Sequence, residues 1–208
     1  DTRTGIVYLT EDRNDGCIYR FIPITSDDYQ QGGRLEALAI SEIESADLRH
    51  WEPPVHMPPG KTMTVRWIPV EDVDSSDDSL RHQAASKGAA IFARGEGMWA
   101  GNGEIFFACT TGGRNQRGQI WKYMPAAPEV EGTPMERLAP GGRLMLLAEP
   151  NDAAIVEHAD NLTVSPWGDL VVCEDGLEDQ FLLGVTPSGL FYKLGRNAMN
   201  QSEFAGAA

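Results

Sequence analysis

The sequence predicts an all-β chain, a β-propeller assembled from short antiparallel strands in repeated four-stranded blades. Three observations lead there: a recurring glycine–strand–turn–strand grammar, equal offsets between the repeats, and a composition that admits a buried core. The 208 residues carry 31 acidic and 17 basic side chains, for a net charge of −14. About half are apolar or glycine, ordinary for a globular domain of this length. No apolar run approaches the ~20 residues of a membrane-spanning helix. The acidity also argues against nucleic acid, because phosphate-backbone binding needs dense Lys and Arg. Metal cations suit it better, although most acidic surfaces are simply solvated.

The repeats justify the strands in order. Residues 5–12 (GIVYLTED) precede 17–21, residues 103–110 (GEIFFACT) precede 119–123, and residues 168–175 (GDLVVCED) precede 182–185. Val, Ile, Tyr, Phe and Trp in these runs fit a pleated, half-buried surface, and the Gly- and Asp-rich spacers are hairpin signals. Another strand leads into the second and third glycines. Glu96 to Gly103 and Asn161 to Gly168 are both offsets of seven residues. Fourth strands follow at 143–147 and 190–194, completing the unit of a propeller blade. A β-sandwich would share the strand spacing but not the matched offsets. Residues 203–208 read as the start of a further blade.

The stretch from about 25 to 92 breaks the pattern. Residues 35–48 have apolar spacing compatible with a strand or short helix, and Pro53, Pro54, Pro58 and Pro59 then interrupt regular structure. An acid- and serine-rich run at 71–78 follows, and 80–92 reads as helical. We therefore expect an insertion at about 25–92 that caps one end of a partial propeller domain spanning 1–208. The first residue is Asp1, with no signal-like segment, and the last residues form an apolar run without a closing turn. On this reading both ends are cut, the exposed blade edges are an association hazard, and a complementary chain is a candidate source of missing blades.

Aligning the repeats on their glycines places Glu11, Cys109 and Glu174 six positions later, and Asp12, Thr110 and Asp175 seven later. Glu96, Asn161 and Glu203 align at the start of innermost strands. A ring of carboxylate and amide oxygens is what Ca²⁺ takes. Asp and Glu equally suit turns, and Asp12 and Asp175 read as turn residues. Arg94, two residues before Glu96, shares its face on an extended strand. A guanidinium beside a metal-binding carboxylate suits a phosphate, to which it can donate two parallel hydrogen bonds. His50, His56, His82 and His158 show no metal-ligand spacing. Cys17, Cys109 and Cys173 offer neither a paired framework nor a CxxC site. No dinucleotide fingerprint, P-loop or nucleophile elbow occurs.

Residues 5–23 (GIVYLTEDRNDGCIYRFIP), 118–123 (GQIWKY), 159–176 (ADNLTVSPWGDLVVCEDG) and 202–207 (SEFAGA) resemble the bacterial PhoX-like family. The resemblance implies a six-bladed propeller and export by the twin-arginine route, to the periplasm or beyond. It also implies hydrolysis of small phosphate monoesters at a calcium and iron cluster in the channel mouth. Arg94 falls on the family's phosphate-facing, catalytic arginine and Glu96 on its metal-binding glutamate. Asp160 and Asn161 match the Ala-Asp-Asn turn, and Glu174 the acidic end of the next strand. Glu11 and Glu203 join these as metal candidates through the repeat alignment. The segments that supply iron-binding Cys and Glu in the family do not occur in this sequence. The function expected is thus an exported metal-dependent phosphatase. The alternatives are a calcium-binding propeller with a non-catalytic ligand-binding role, and lactonase-type hydrolysis with calcium held by Glu and Asn.

Overall fold

Short runs rich in Val, Ile, Leu and aromatic residues recur along the chain, and among the described residues they pair as antiparallel strands. The computed structural model describes residues 5–26, 28–126 and 141–207. Strands β1 (Val7–Leu9), β2 (Tyr19–Thr25) and β3 (Asp28–Ile40) form a meander, with Val7 opposite Phe21 and Tyr19 opposite Ala37. β4 is Thr62–Val70, and the helix α1 is Leu80–Ser86. A second meander follows: β5 (Gly95–Gly101), β6 (Glu104–Cys109), β7 (Gln119–Pro125) and β8 (Gly141–Ala148). The last four strands, β9 (Ala159–Val164), β10 (Leu170–Glu174), β11 (Phe181–Val185) and β12 (Phe191–Arg196), make a separate four-stranded sheet.

The repeat glycines have a backbone reason. Gly5, Gly103 and Gly168 all have positive φ, a conformation open to glycine and strained for most other residues. Asn102 and Gly103 are both left-handed, the signature of a two-residue hairpin turn between β5 and β6. β1, β6 and β10 are therefore equivalent strands, each launched by one of these glycines.

The stretch 25–92 differs from the expected cap. It supplies β3, the partner of β2, and β4, which hydrogen-bonds to β3 on one edge and to β8 on the other. β4 thereby joins the two meanders into one sheet of eight strands, in the order β1-β2-β3-β4-β8-β7-β6-β5. Leu38, Ile40, Val65 and Trp67 all enter one core, which is why this segment pairs instead of capping. The prolines interrupt only the β3–β4 connection. The helix stops at Ser86, short of the expected 92, because Gly88 turns left-handed and its N–H bonds to Ala85 O.

The eight-stranded sheet curls around an aromatic wedge. Trp121 meets Phe92 edge-on at 5.5 Å and stacks with Phe107 at 6.3 Å, Phe92 and Phe107 touch each other edge-on at 5.5 Å, and Trp67 meets Tyr123 edge-on at 5.5 Å. A second core fills the space between the sheets, where Phe106, Ile120 and Leu147 face Leu162, Val172 and Leu183. β5 approaches β9 through two glycines. A Cβ on Gly97 would lie 2.6 Å from Asn161 Cα, and one on Gly101 would lie 2.6 Å from Val164 Cγ2. Among the described residues no helix is long and apolar enough to cross a membrane.

Trp121→Ala is expected to remove about 3–5 kcal/mol of stability, read as a lower denaturant midpoint, because a fully buried indole leaves a cavity. Trp99, 43% exposed on β5, should tolerate the same change within about 0.5 kcal/mol.

Candidate functional site

Curling brings the two edges of the large sheet together at one end. Thr10 Oγ1 donates to Glu96 O at 2.7 Å, Gly95 N to Glu11 O at 3.1 Å, and Arg94 N to Arg13 O at 2.8 Å. Arg94 sits in the left-handed region at φ +52°, and its carbonyl accepts Thr110 N. A non-glycine residue there is uncommon and is held by these surrounding bonds. The turn aims the guanidinium at two carboxylates. Nε and Nη2 donate to Asp12 Oδ1 and Oδ2 at 2.7 and 3.2 Å, and Nη2 reaches Glu96 Oε1 at 3.3 Å. Arg94 and Glu96 thus meet as their spacing predicts, through a tight turn at the mouth of β5 instead of a continuous strand.

β9 delivers Asp160 to the same end, and the C-terminal segment delivers Glu203. Burial pushes the Glu96 carboxyl up to about 7, and the charges of Asp160 and Asp12 push the same way against Arg94. Asp160 is raised by burial and then by Asp175, and Glu203 by burial and then by Asp175 and Asp160. Only Asp12 goes the other way, because the hydrogen-bonded Arg94 guanidinium favours its ionised form. Five carboxylates are therefore linked in a chain of repulsion through Asp160, and the Arg94 guanidinium acts on three of them, Asp12, Glu96 and Asp160.

Three of the sequence candidates have hydrogen-bond partners away from the Arg94 contact. Glu174, expected at the metal, is 4% exposed and accepts the backbone N–H groups of Glu157 and Phe181 at 2.8 and 3.2 Å. Glu11 accepts Cys17 N and Tyr19 OH at 3.1 and 2.8 Å and faces Arg81. Asn161 Nδ2 donates to Ala205 O at 3.5 Å, tying the C-terminal segment to β9. In the places where Glu11 and Glu174 were expected stand Asp12 and Asp175, read from sequence as turn residues. Asp12 and Asp175 lie past the ends of β1 and β10, where strand alternation no longer fixes side-chain direction, so no local signal in the sequence singles them out. Cys17, Cys109 and Cys173 are buried and unpaired with one another, and Cys109 and Cys173 lie on the apolar strands β6 and β10.

The donor chemistry around Glu96, Asp160 and Glu203 is all oxygen, which suits a hard cation such as calcium, and mutual repulsion of these groups is what a cation would relieve. Among the described residues, however, no three His, Cys, Asp or Glu converge closely enough to hold a metal ion. No coordination geometry follows from this arrangement.

The family model for alkaline phosphatase PhoX matches residues 1–207. A solved structure described as Pseudomonas fluorescens PhoX in complex with vanadate, a transition state analogue, has a similar fold, with a TM-score of 0.55 at 17% identity. The match covers 91% of this chain and 41% of that one, so this chain spans about two fifths of its length. No curated protein matches in sequence.

Glu96 makes the site's charge balance measurable. Its folded-state pKa lies above its ordinary value of 4.5, so its contribution to stability is full below pH 4.5 and is lost as pH rises through about 7. Asp160→Asn is expected to lower the Glu96 midpoint and flatten the fall in melting temperature across that window. Carboxyl carbon NMR titration and melting curves against pH read both effects.

Proposed function

Because the chain belongs to the PhoX alkaline phosphatase family, we propose that it forms part of an exported, metal-dependent hydrolase of small phosphate monoesters. The observation that carries this reading is the Arg94 guanidinium, held in a left-handed turn between Asp12 and Glu96 at the sheet opening. A guanidinium stays protonated at any working pH and presents paired donors to the oxygens of a phosphoryl group. Arg94 would bind the substrate phosphate and spread the charge that builds on its equatorial oxygens, without transferring a proton. Asp12 holds the side chain in place until substrate arrives, and the phosphate oxygens then compete with Asp12 for Nε and Nη2.

Calcium is the cation whose chemistry these carboxylate oxygens suit; Glu96, Asp160 and Glu203 do not converge into a site by themselves among the described residues, so they would hold it only together with further ligands. Bound there, it would supply Lewis-acid charge to the phosphate. Iron, which the family resemblance implies, finds no ligand in the three buried cysteines. Glu11, Glu174 and Asn161 support the site by holding the backbone around it. The vanadate named for the Pseudomonas structure is an analogue of phosphoryl transfer, and this reading extends that chemistry to the present chain. One observation favours a second reading, a calcium-binding role without catalysis: Asp12 occupies the two Arg94 nitrogens that a phosphate would use.

The complete protein, assayed with p-nitrophenyl phosphate and with a simple lactone, with and without chelator, separates these readings. Arg94→Ala is expected to lower phosphatase kcat/KM by about 100- to 1000-fold. Glu96→Gln should cost far more activity than Asp12→Asn. Phosphatase activity that Arg94→Ala leaves intact would overturn the assignment, and calcium uptake with no turnover would favour the binding role.

A further inference from the structure

The connection between β8 and β9 carries Asp160 into the site, and it is anchored by a buried pair that the proposed chemistry does not use. His50, in the β3–β4 connection, is 2% exposed, with Nδ1 2.6 Å from Glu149 Oε2 at the end of β8. Glu149 also accepts Gln119 Nε2 at 2.7 Å and Asn151 Nδ2 at 2.9 Å. Gln119 Nε2 donates to Leu48 O as well, which brings the same carboxylate group back to the His50 segment. Burial would raise the Glu149 carboxyl, but His50, Gln119 and Asn151 outweigh it and hold it below the ordinary range. The ionised carboxylate fixes His50 as an Nδ1–H donor. His50 Nε2 is buried with no partner, so the ring is held by Glu149 and by its edge-on contact with Trp121.

From Glu149 the connection is fastened step by step. Asn151 Oδ1 and O accept Asn115 N and Nδ2, and Ile155 N and Val156 N bond to Asp152 O. Val156 is buried between the sheets, Arg117 pairs with Glu157 at 2.6 Å, and Arg117 O accepts His158 N. Two residues later stands Asp160.

We propose that the His50–Glu149 pair is a positioning clasp, which pins the β3–β4 connection to the β8–β9 connection and so sets where Asp160 meets Glu96. The clasp goes beyond the hydrolase reading and does not depend on it. Cutting a buried donor from its carboxylate leaves the partner uncompensated and frees the segment it held. Conservative rescue is open to Asn, because its amide can stand near Nδ1 and because Asn tolerates the left-handed backbone of His50, at φ +60°.

The test is hydrogen exchange by mass spectrometry on the whole chain, paired with the carboxyl carbon shift of Asp160. In His50→Ala and Glu149→Ala, amides of residues 150–160 should exchange about 10- to 100-fold faster while β2, β3 and β10 hold their protection. The Asp160 signal should move with them. His50→Asn should restore both readouts and His50→Leu, similar in bulk but without a donor, should not. If the alanine variants fail to fold, the Asn and Leu variants and Glu149→Gln decide. Equal acceleration across every strand, no acceleration at 150–160, or Asn performing no better than Leu would each overturn the clasp.

Discussion

The site depends on closure of the eight-stranded sheet. β1 and β5 are its two edges, and they meet only because the sheet curls about the wedge of Trp121, Phe107, Phe92, Trp67 and Tyr123. The bonds that join the edges come from Thr10 and from the carbonyls of Glu11 and Arg13, on one side, and residues 94–96 on the other. Asp12 and Arg94 are 82 residues apart in sequence and form a two-nitrogen contact across this seam. Flattening the sheet would separate them. The aromatic core is thus upstream of the chemistry in a direct mechanical sense.

The second sheet is brought in by a different device. Gly97 and Gly101 strip one face of β5 to the backbone, and β9 lies against it closer than any side chain would allow. That approach places Asp160 within electrostatic range of Glu96. An acid at position 97 would collide with the backbone of Asp160, Asn161 and Leu162 in this arrangement. The close packing and the charge at the site are therefore one design feature.

Carboxylates in this protein divide by what surrounds them. Glu36 lies between Arg20 and Arg34, Glu149 accepts three side-chain donors, and Glu174 accepts two backbone N–H groups. These are buried and structural, as buried acids must be when their lone pairs are filled. Glu96, Asp160 and Glu203 sit nearer water with fewer donors; burial raises each of them, as it also raises Glu174, but they lie close enough to repel one another.

The all-β class, the repeat, and the meeting of Arg94 with Glu96 were legible in the residues alone. Each of these rests on local rules: runs rich in β-forming residues, glycines that turns require at 5, 103 and 168, and neighbours two residues apart. The sequence did not determine that residues 28–40 and 62–70 pair into the sheet, because β4 finds its second partner in β8, about 80 residues away, and no local signal names it. Nor did it determine which acid of each Glu-Asp pair faces the site. Glu11 and Glu174 are chemically as fit for a cation as Asp12 and Asp175. The register shift between Val172 and Glu174 and the turns that follow β1 and β10 leave Glu11 and Glu174 bonded to Cys17 N, Tyr19 OH and the N–H groups of Glu157 and Phe181, while Asp12 meets Arg94 across the seam. Side-chain direction at these strand ends is a property of the packed fold, set by contacts between residues far apart in the chain.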